Sequence, residues 1–173
     1  MRRRPRLASC LAPLTLAFAT TTCSGPEGPP IRYENAEAGY GYEIPRRWVL
    51  LADEARSPKG SLFTVKVHSL EGARQSFVEG LPETVIPQIE EWTQYFFGPP
   101  GTPDRGTATV GGEPAVRLTY RVTIRAGWEQ TRVDYWIVRH GQLLYLLRAV
   151  YAAGREETEL PAVTALLATW RFH

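Results

Sequence analysis

The stretch "AVRLTYRVTIRAGWEQTRVDYWIVRHGQLLYLLRAVY", residues 115–151, decides the fold. Val116, Leu118, Tyr120, Val122 and Ile124 alternate with Arg117, Thr119, Arg121, Thr123 and Arg125, which gives a strand with one apolar and one polar face. A tight turn at Ala126 and Gly127 sets Tyr120 opposite Val133, Leu118 opposite Tyr135 and Val116 opposite Ile137, so the apolar sets of two strands coincide. One more turn residue would invert that match, because side chains alternate faces with a period of two. A second turn at His140 and Gly141 places Ile137 opposite Leu144 and Tyr135 opposite Leu146. The third strand, Gln142 to Tyr151, is apolar on both faces and therefore needs cover on both sides.

Downstream, Leu160, Val163, Leu166 and Leu167 mark a helix from about Thr158 to Leu167, with Pro161 in its first turn, and "ATWRFH" reads as a closing strand. Upstream, "FGPPGTPDRG" from Phe97 to Gly106 is too rich in Pro and Gly for a ladder or a helix and reads as loop. Val85, Ile89, Trp92 and Phe96 fall at helical spacing between Pro82 and Phe96, with Pro82 suited to a first turn and Pro87 marking a kink or a later start. Ser61 to His68 alternates as a strand, as do Tyr40, Tyr42 and Ile44 before Pro45, and Trp48 to Leu51 resume an apolar run. The pattern predicts one α+β domain over residues 33–173, a twisted antiparallel sheet with helices packed on it.

Ahead of that domain, Arg2, Arg3, Arg4 and Arg6 precede a mostly apolar segment from Leu7 to Ala19, interrupted by Pro13 and too short to span a bilayer. The segment reads as a signal peptide over residues 1–22. Cys23 and a Pro- and Gly-rich tether follow, over residues 23–32. A cysteine in this place resembles the lipid-attachment cysteine of a bacterial lipoprotein signal, although Thr20, Thr21 and Thr22 stand where the usual box has Leu and a small residue. The resemblance implies an extracytoplasmic protein held on the membrane by lipid at Cys23; plain secretion is the alternative if the cysteine is not modified.

The chain carries a formal charge of +2, but four of its twenty bases precede Cys23 and all eighteen acids follow it. Eighteen acids against sixteen bases make the rest of the chain slightly acidic, which argues against nucleic acid as a partner. Cys10 and Cys23 are the only cysteines, so the domain has no disulfide framework and no thiolate nucleophile. His68, His140 and His173 stand apart from one another and from acids at ligand spacing, and no nucleophile elbow or phosphate-cradling loop is present. No metal, cofactor or catalytic residue is expected.

Three stretches, "YGYEIPRRW" (40–48), "VGGEPAVRLTYRV" (110–122) and "LLATWRF" (166–172), resemble the opening strand, the central strand and the closing helix-to-strand segment of the PsbP-like fold family. That family includes the extrinsic photosystem II subunit, a eukaryotic Ran-binding release factor and many bacterial lipoproteins. The resemblance implies an α/β/α sandwich, no common catalytic residues, and members that mostly dock on other proteins. Arg47 departs from the pattern, since relatives often have Gly before the Trp.

Two sets of residues then carry functional expectations. The register puts Arg121 opposite Arg132, Arg125 one step along, Asp134 diagonal between Arg117 and Arg121, and Trp136 opposite Arg117. Asp134 and nearby glutamates neutralise that face, or its arginines bind an anion or acidic partner. With Trp128 beside the turn as an anchor, or as a packing contact for Arg125 or Arg117, this face is the expected docking surface for a membrane-associated protein. The alternative is a carrier of a small apolar or amphipathic ligand bound between sheet and helices near Trp92, Tyr95 and Phe96, residues that otherwise belong to the core.

Overall fold

The computed structural model describes residues 28–51, 54–123 and 130–173. In chain order its elements are β1 (Ile31–Asn35), β2 (Tyr40–Ile44), β3 (Val49–Leu51), β4 (Glu54–Arg56), β5 (Leu62–Ser69), α1 (Gln75–Glu79), α2 (Ile86–Phe97), β6 (Asp104–Val110), β7 (Glu113–Thr123), β8 (Gln130–His140), β9 (Leu143–Val150), α3 (Glu156–Ala168) and β10 (Arg171–Phe172). A seven-stranded sheet runs β3-β4-β5-β9-β8-β7-β6, and a three-stranded sheet runs β1-β2-β10; every pairing is antiparallel.

The large sheet is covered on both faces. On one, α2 and α1 pack Val85, Ile89, Phe77 and Val78 against Leu118, Tyr120, Val122, Val133, Tyr135 and Ile137. On the other, α3 and the small sheet pack Val163, Leu166, Tyr40, Tyr42 and Trp170 against Phe63, Val65, Trp136, Tyr145 and Leu147. The Trp170 ring stacks on Tyr40 and Tyr42, at centroid distances of 4.8 and 5.2 Å and within 7° of parallel. Burying a side chain of this size stabilises the fold by roughly 1.5–3 kcal/mol before any ring geometry is counted. β9 sits between β5 and β8 with Tyr145, Leu147 and Ala149 in one core and Leu144 and Leu146 in the other, which is why its sequence is apolar throughout.

The β7–β8 register is as the alternation requires: Tyr120 faces Val133, Leu118 faces Tyr135 and Val116 faces Ile137. The turn joining those strands lies outside the described residues. At the next turn the register differs from expectation by two residues, because the loop is Gly141 and Gln142 and not His140 and Gly141; Ile137 faces Leu146 and Arg139 faces Leu144. Gly141, at φ +57°, supplies the left-handed backbone at the first loop position. An even shift preserves the faces, so the same side chains are buried in either register.

Other elements depart further from the sequence reading. Asp104, Arg105 and Gly106 are not loop but the start of β6, which pairs with β7 from Asp104↔Thr119 to Val110↔Glu113 and makes the meander four-stranded. As an edge strand exposed along most of its length, β6 has no apolar period to betray it. The helix around Trp92 starts at Ile86, with Pro87 in its first turn, while Pro82 lies in the turn before it. α3 begins two residues earlier than expected, which leaves Pro161 inside the helix and not in its first turn. β1 begins at Ile31, two residues within the stretch read as tether, and α1 and β4 had no expectation attached to them.

Candidate functional site

Alternation on β7 and β8 puts Arg117, Thr119 and Arg121 on the same face as Arg132, Asp134 and Trp136, with Arg121 opposite Arg132 and Arg117 opposite Trp136. Asp134 has no exposed surface and is surrounded by donors. Thr119 Oγ1 donates to Oδ1 at 2.6 Å, Arg132 Nε to Oδ1 at 3.0 Å, Arg117 to Oδ2 at 3.3 Å and the Tyr151 hydroxyl to Oδ2 at 3.0 Å. The Arg132 guanidinium also lies 5.5 Å from the Tyr151 ring centroid. One buried carboxylate thus pairs with Arg117 and Arg132 but not with Arg121, which stands opposite Arg132; no glutamate among the described residues takes part. Burial first, and the Asp134 charge second, raise the Tyr151 hydroxyl above its ordinary range, so it stays a donor.

This arrangement corrects part of the expected docking face. Trp136 is 4% exposed and belongs to the core, so it has no surface to offer a partner. Arg117 and Arg132 are held by Asp134, which leaves Arg121 as the exposed arginine of the set with no ion pair among the described residues. It stands at the rim of an open cleft with Asp104, Gly106 and Thr119. Arg125, Trp128 and Cys23 lie outside the described residues.

On the opposite face of the sheet the spacing of Trp92, Tyr95 and Phe96 puts all three on one side of α2, at the border where the helix ceases to cover the sheet. Trp92 is half-buried and packs against the core, but Tyr95 and Phe96 are not core: they are 78% and 59% exposed, with their rings edge to face at 5.1 Å. Between them and the sheet runs a groove of about 250 Å3. Its floor is Thr64 and Lys66 of β5, Leu146 and Arg148 of β9, and Tyr135 of β8. The pairings Thr64↔Arg148, Lys66↔Leu146 and Tyr135↔Arg148 make that floor one contiguous patch.

The polar groups of the groove are disposed unequally. Thr93 Oγ1 donates to the Ile89 carbonyl at 2.7 Å, so in its 3.0 Å contact with Tyr135 the tyrosine hydroxyl is the donor, turned into the helix. Lys66 Nζ lies 4.6 Å from the Trp92 ring centroid and the Arg148 guanidinium 5.9 Å from that of Phe96. Neither cation has an ion-pair partner among the described residues, and the Arg148 Nε is buried without a hydrogen-bond acceptor. Glu54, across from Thr64, is already bound to Arg56 at 2.9 Å. The lining carries no carboxylate and no imidazole; its titratable side chains are Lys66, Arg148, Tyr95 and Tyr135.

Sequence reasoning found the helix side of this groove and missed the sheet side. Arg148 was the available signal, as the lone charge interrupting the apolar run of β9; Lys66 is unremarkable until β5 and β9 are paired. Elsewhere, His140 Nδ1 lies 2.8 Å from Glu113 Oε1 with its ring stacked on Phe172, and His173 contacts Glu34. Among the described residues there is no group of three potential metal ligands, and no helix is long and apolar enough to cross a membrane.

An antiparallel sheet clasped between helices, with a small sheet closing one side, is the PsbP-like α+β architecture. Among solved structures the chain is similar to cyanobacterial PsbP (CyanoP) from Synechocystis sp. PCC 6803, with a TM-score of 0.62 and 12% identity over 90% of this chain and 99% of that one. A protein from Bacteroides thetaiotaomicron VPI-5482 gives 0.53 and 10% identity over 85% of this chain and 49% of that one. LpqN, involved in cell envelope biogenesis of Mycobacterium tuberculosis, gives 0.48 and 13% over 82% and 88%. No protein-family model and no curated protein matches the chain in sequence. The likeness to CyanoP shows the fold that the three quoted stretches implied.

Proposed function

We propose that this chain is an extracytoplasmic, lipid-anchored, non-enzymatic accessory protein that carries a small amphipathic ligand in the groove between α2 and the β5–β9 pair. The observation that carries this reading is the groove itself: two exposed aromatic rings face a floor holding two cations without acid partners. Exposed apolar surface rimmed by polar groups marks a binding site more often than a bare surface does. The signal-like residues 1–22 and Cys23 support the location, and the largely apolar lining with its few polar groups supports binding. Native mass spectrometry of the gently purified full chain is the test. A bound mass lost in Tyr95→Ala with Phe96→Ala is expected, and an empty protein from every preparation overturns the reading.

A second reading, docking on a membrane-associated protein, is favoured by Arg121, exposed and without an ion pair at the rim of its cleft. In-cell photo-crosslinking from position 128, with position 27 in the tether as control, tests it. A partner trapped only from 128 is the expected result, and equal capture from both positions ends it.

A further inference from the structure

Resting on the carrier reading, we propose that the ligand is a single-headed organic anion whose head is received by Lys66 and Arg148 and whose apolar body lies against Trp92, Tyr95 and Phe96. The pairing Lys66↔Leu146 and Thr64↔Arg148 makes Lys66 and Arg148 diagonal neighbours on one face of adjacent strands. Like charges so placed repel, and on this face no carboxylate among the described residues lies within ion-pair distance of either. No acid among the described residues on this face offsets that repulsion, and an anion between the two heads removes it.

Trp92 and Phe96 stand one helical turn apart on α2, each with one cation over its ring. These contacts hold the cationic heads near the ring faces without using their N–H donors, since neither Lys66 nor Arg148 makes a side-chain hydrogen bond among the described residues. A planar carboxylate or a phosphate monoester uses those donors, the Arg fork in particular. A cationic ligand would meet two like charges, and a neutral one would leave the repulsion in place.

The groove also limits size. At about 250 Å3 it falls just below the roughly 300–1,000 Å3 of pockets that bury drug-sized ligands. Leu146 in the floor and the exposed Tyr95 and Phe96 rings offer that body an apolar slot open at one end. A short acyl chain or one aromatic ring suits a slot of that size.

Isothermal titration of the full-length protein with octanoate, octyl phosphate, octanol and octyltrimethylammonium tests the proposal. The anions are expected to bind about tenfold tighter or more than octanol, with the quaternary amine weakest, and the order of octanoate and octyl phosphate identifies the head. Lys66→Gln with Arg148→Gln should erase the preference for anions while Tyr95→Ala weakens all four ligands alike; circular dichroism of each variant confirms the fold. Octanol or the amine binding as tightly as the anions overturns the charge assignment and leaves the carrier reading standing. A preference that survives the double variant overturns the assignment to Lys66 and Arg148. Failure of all four probes to bind overturns both the proposal and the groove as a ligand site.

Discussion

The Tyr151 hydroxyl donates to Asp134 Oδ2 at 3.0 Å, the backbone N–H of Tyr151 donates to the Arg132 carbonyl at 3.0 Å and the Thr131 hydroxyl donates to the Tyr151 carbonyl, so the residue that follows β9 is bound to β8 three times. Asp134, with no exposed surface, is the carboxylate on which Thr119, Arg117, Arg132 and Tyr151 converge. Removing it leaves a half-buried arginine pair with nothing between them. Asp134→Ala should destabilise the protein by about 3–5 kcal/mol, the usual cost of breaking one side of a buried ion pair. Tyr151→Phe, which removes one donor to a charged acceptor, should cost about 1.5–3 kcal/mol. Urea unfolding measures both, and a double variant that loses less than the sum of the two establishes their coupling.

Alkaline stability follows from the same tyrosine. Burial and the Asp134 charge raise the Tyr151 pKa above its ordinary 10.0, and burial raises Tyr120 as well. A group whose pKa is raised in the folded state contributes stability that is fully present below the unfolded value and lost as pH rises beyond it. Unfolding free energy should therefore hold up to about pH 10 and fall steeply above it, with a shallower fall in Tyr151→Phe. An equal slope in the variant would assign the alkaline limb to Tyr120 and other groups.

At the acidic end, Glu34 gathers the two ends of the domain. Hydrogen bonds from Arg171, then Arg32 and His173, hold its carboxyl at about 2, below the ordinary 4.5. Arg171 and His173 belong to the C-terminal strand and tail, so this exposed carboxylate ties β1 to β10 across the small sheet. Side-chain carboxyl titration by NMR should give Glu34 a midpoint near 2. In Arg171→Ala the midpoint should move up toward the ordinary range; no movement would mean that Arg171 is not its main partner.

The two hairpin glycines distinguish backbone strain from crowding. Gly111 has φ +58°, and a Cβ there would come within 2.8 Å of the Phe172 and Trp170 rings; Gly141 has φ +57° with open space around it. Gly141→Ala should cost about 1–2 kcal/mol, the left-handed penalty for a residue with a Cβ. Gly111→Ala should cost more, because stacked rings of the core must also move. Equal thermal shifts for the two variants would show that the rings yield freely.

What the sequence by itself determined is the part of the fold with a strict period. The β7–β8 register was legible because one apolar face allows one alignment, and the two-sided cover of β9 was legible because nothing else explains its apolar run. Tertiary structure decided the rest. β6 carries no period because it is exposed on both faces along most of its length, and the β8–β9 loop could shift by two residues at no cost to burial. Trp136 entered the core and Tyr95 and Phe96 stayed outside it, since exposure of an aromatic depends on how far a helix extends over a sheet and not on its neighbours in sequence. The groove needed Lys66 and Arg148 side by side, a relation that exists only once β5 and β9 have paired.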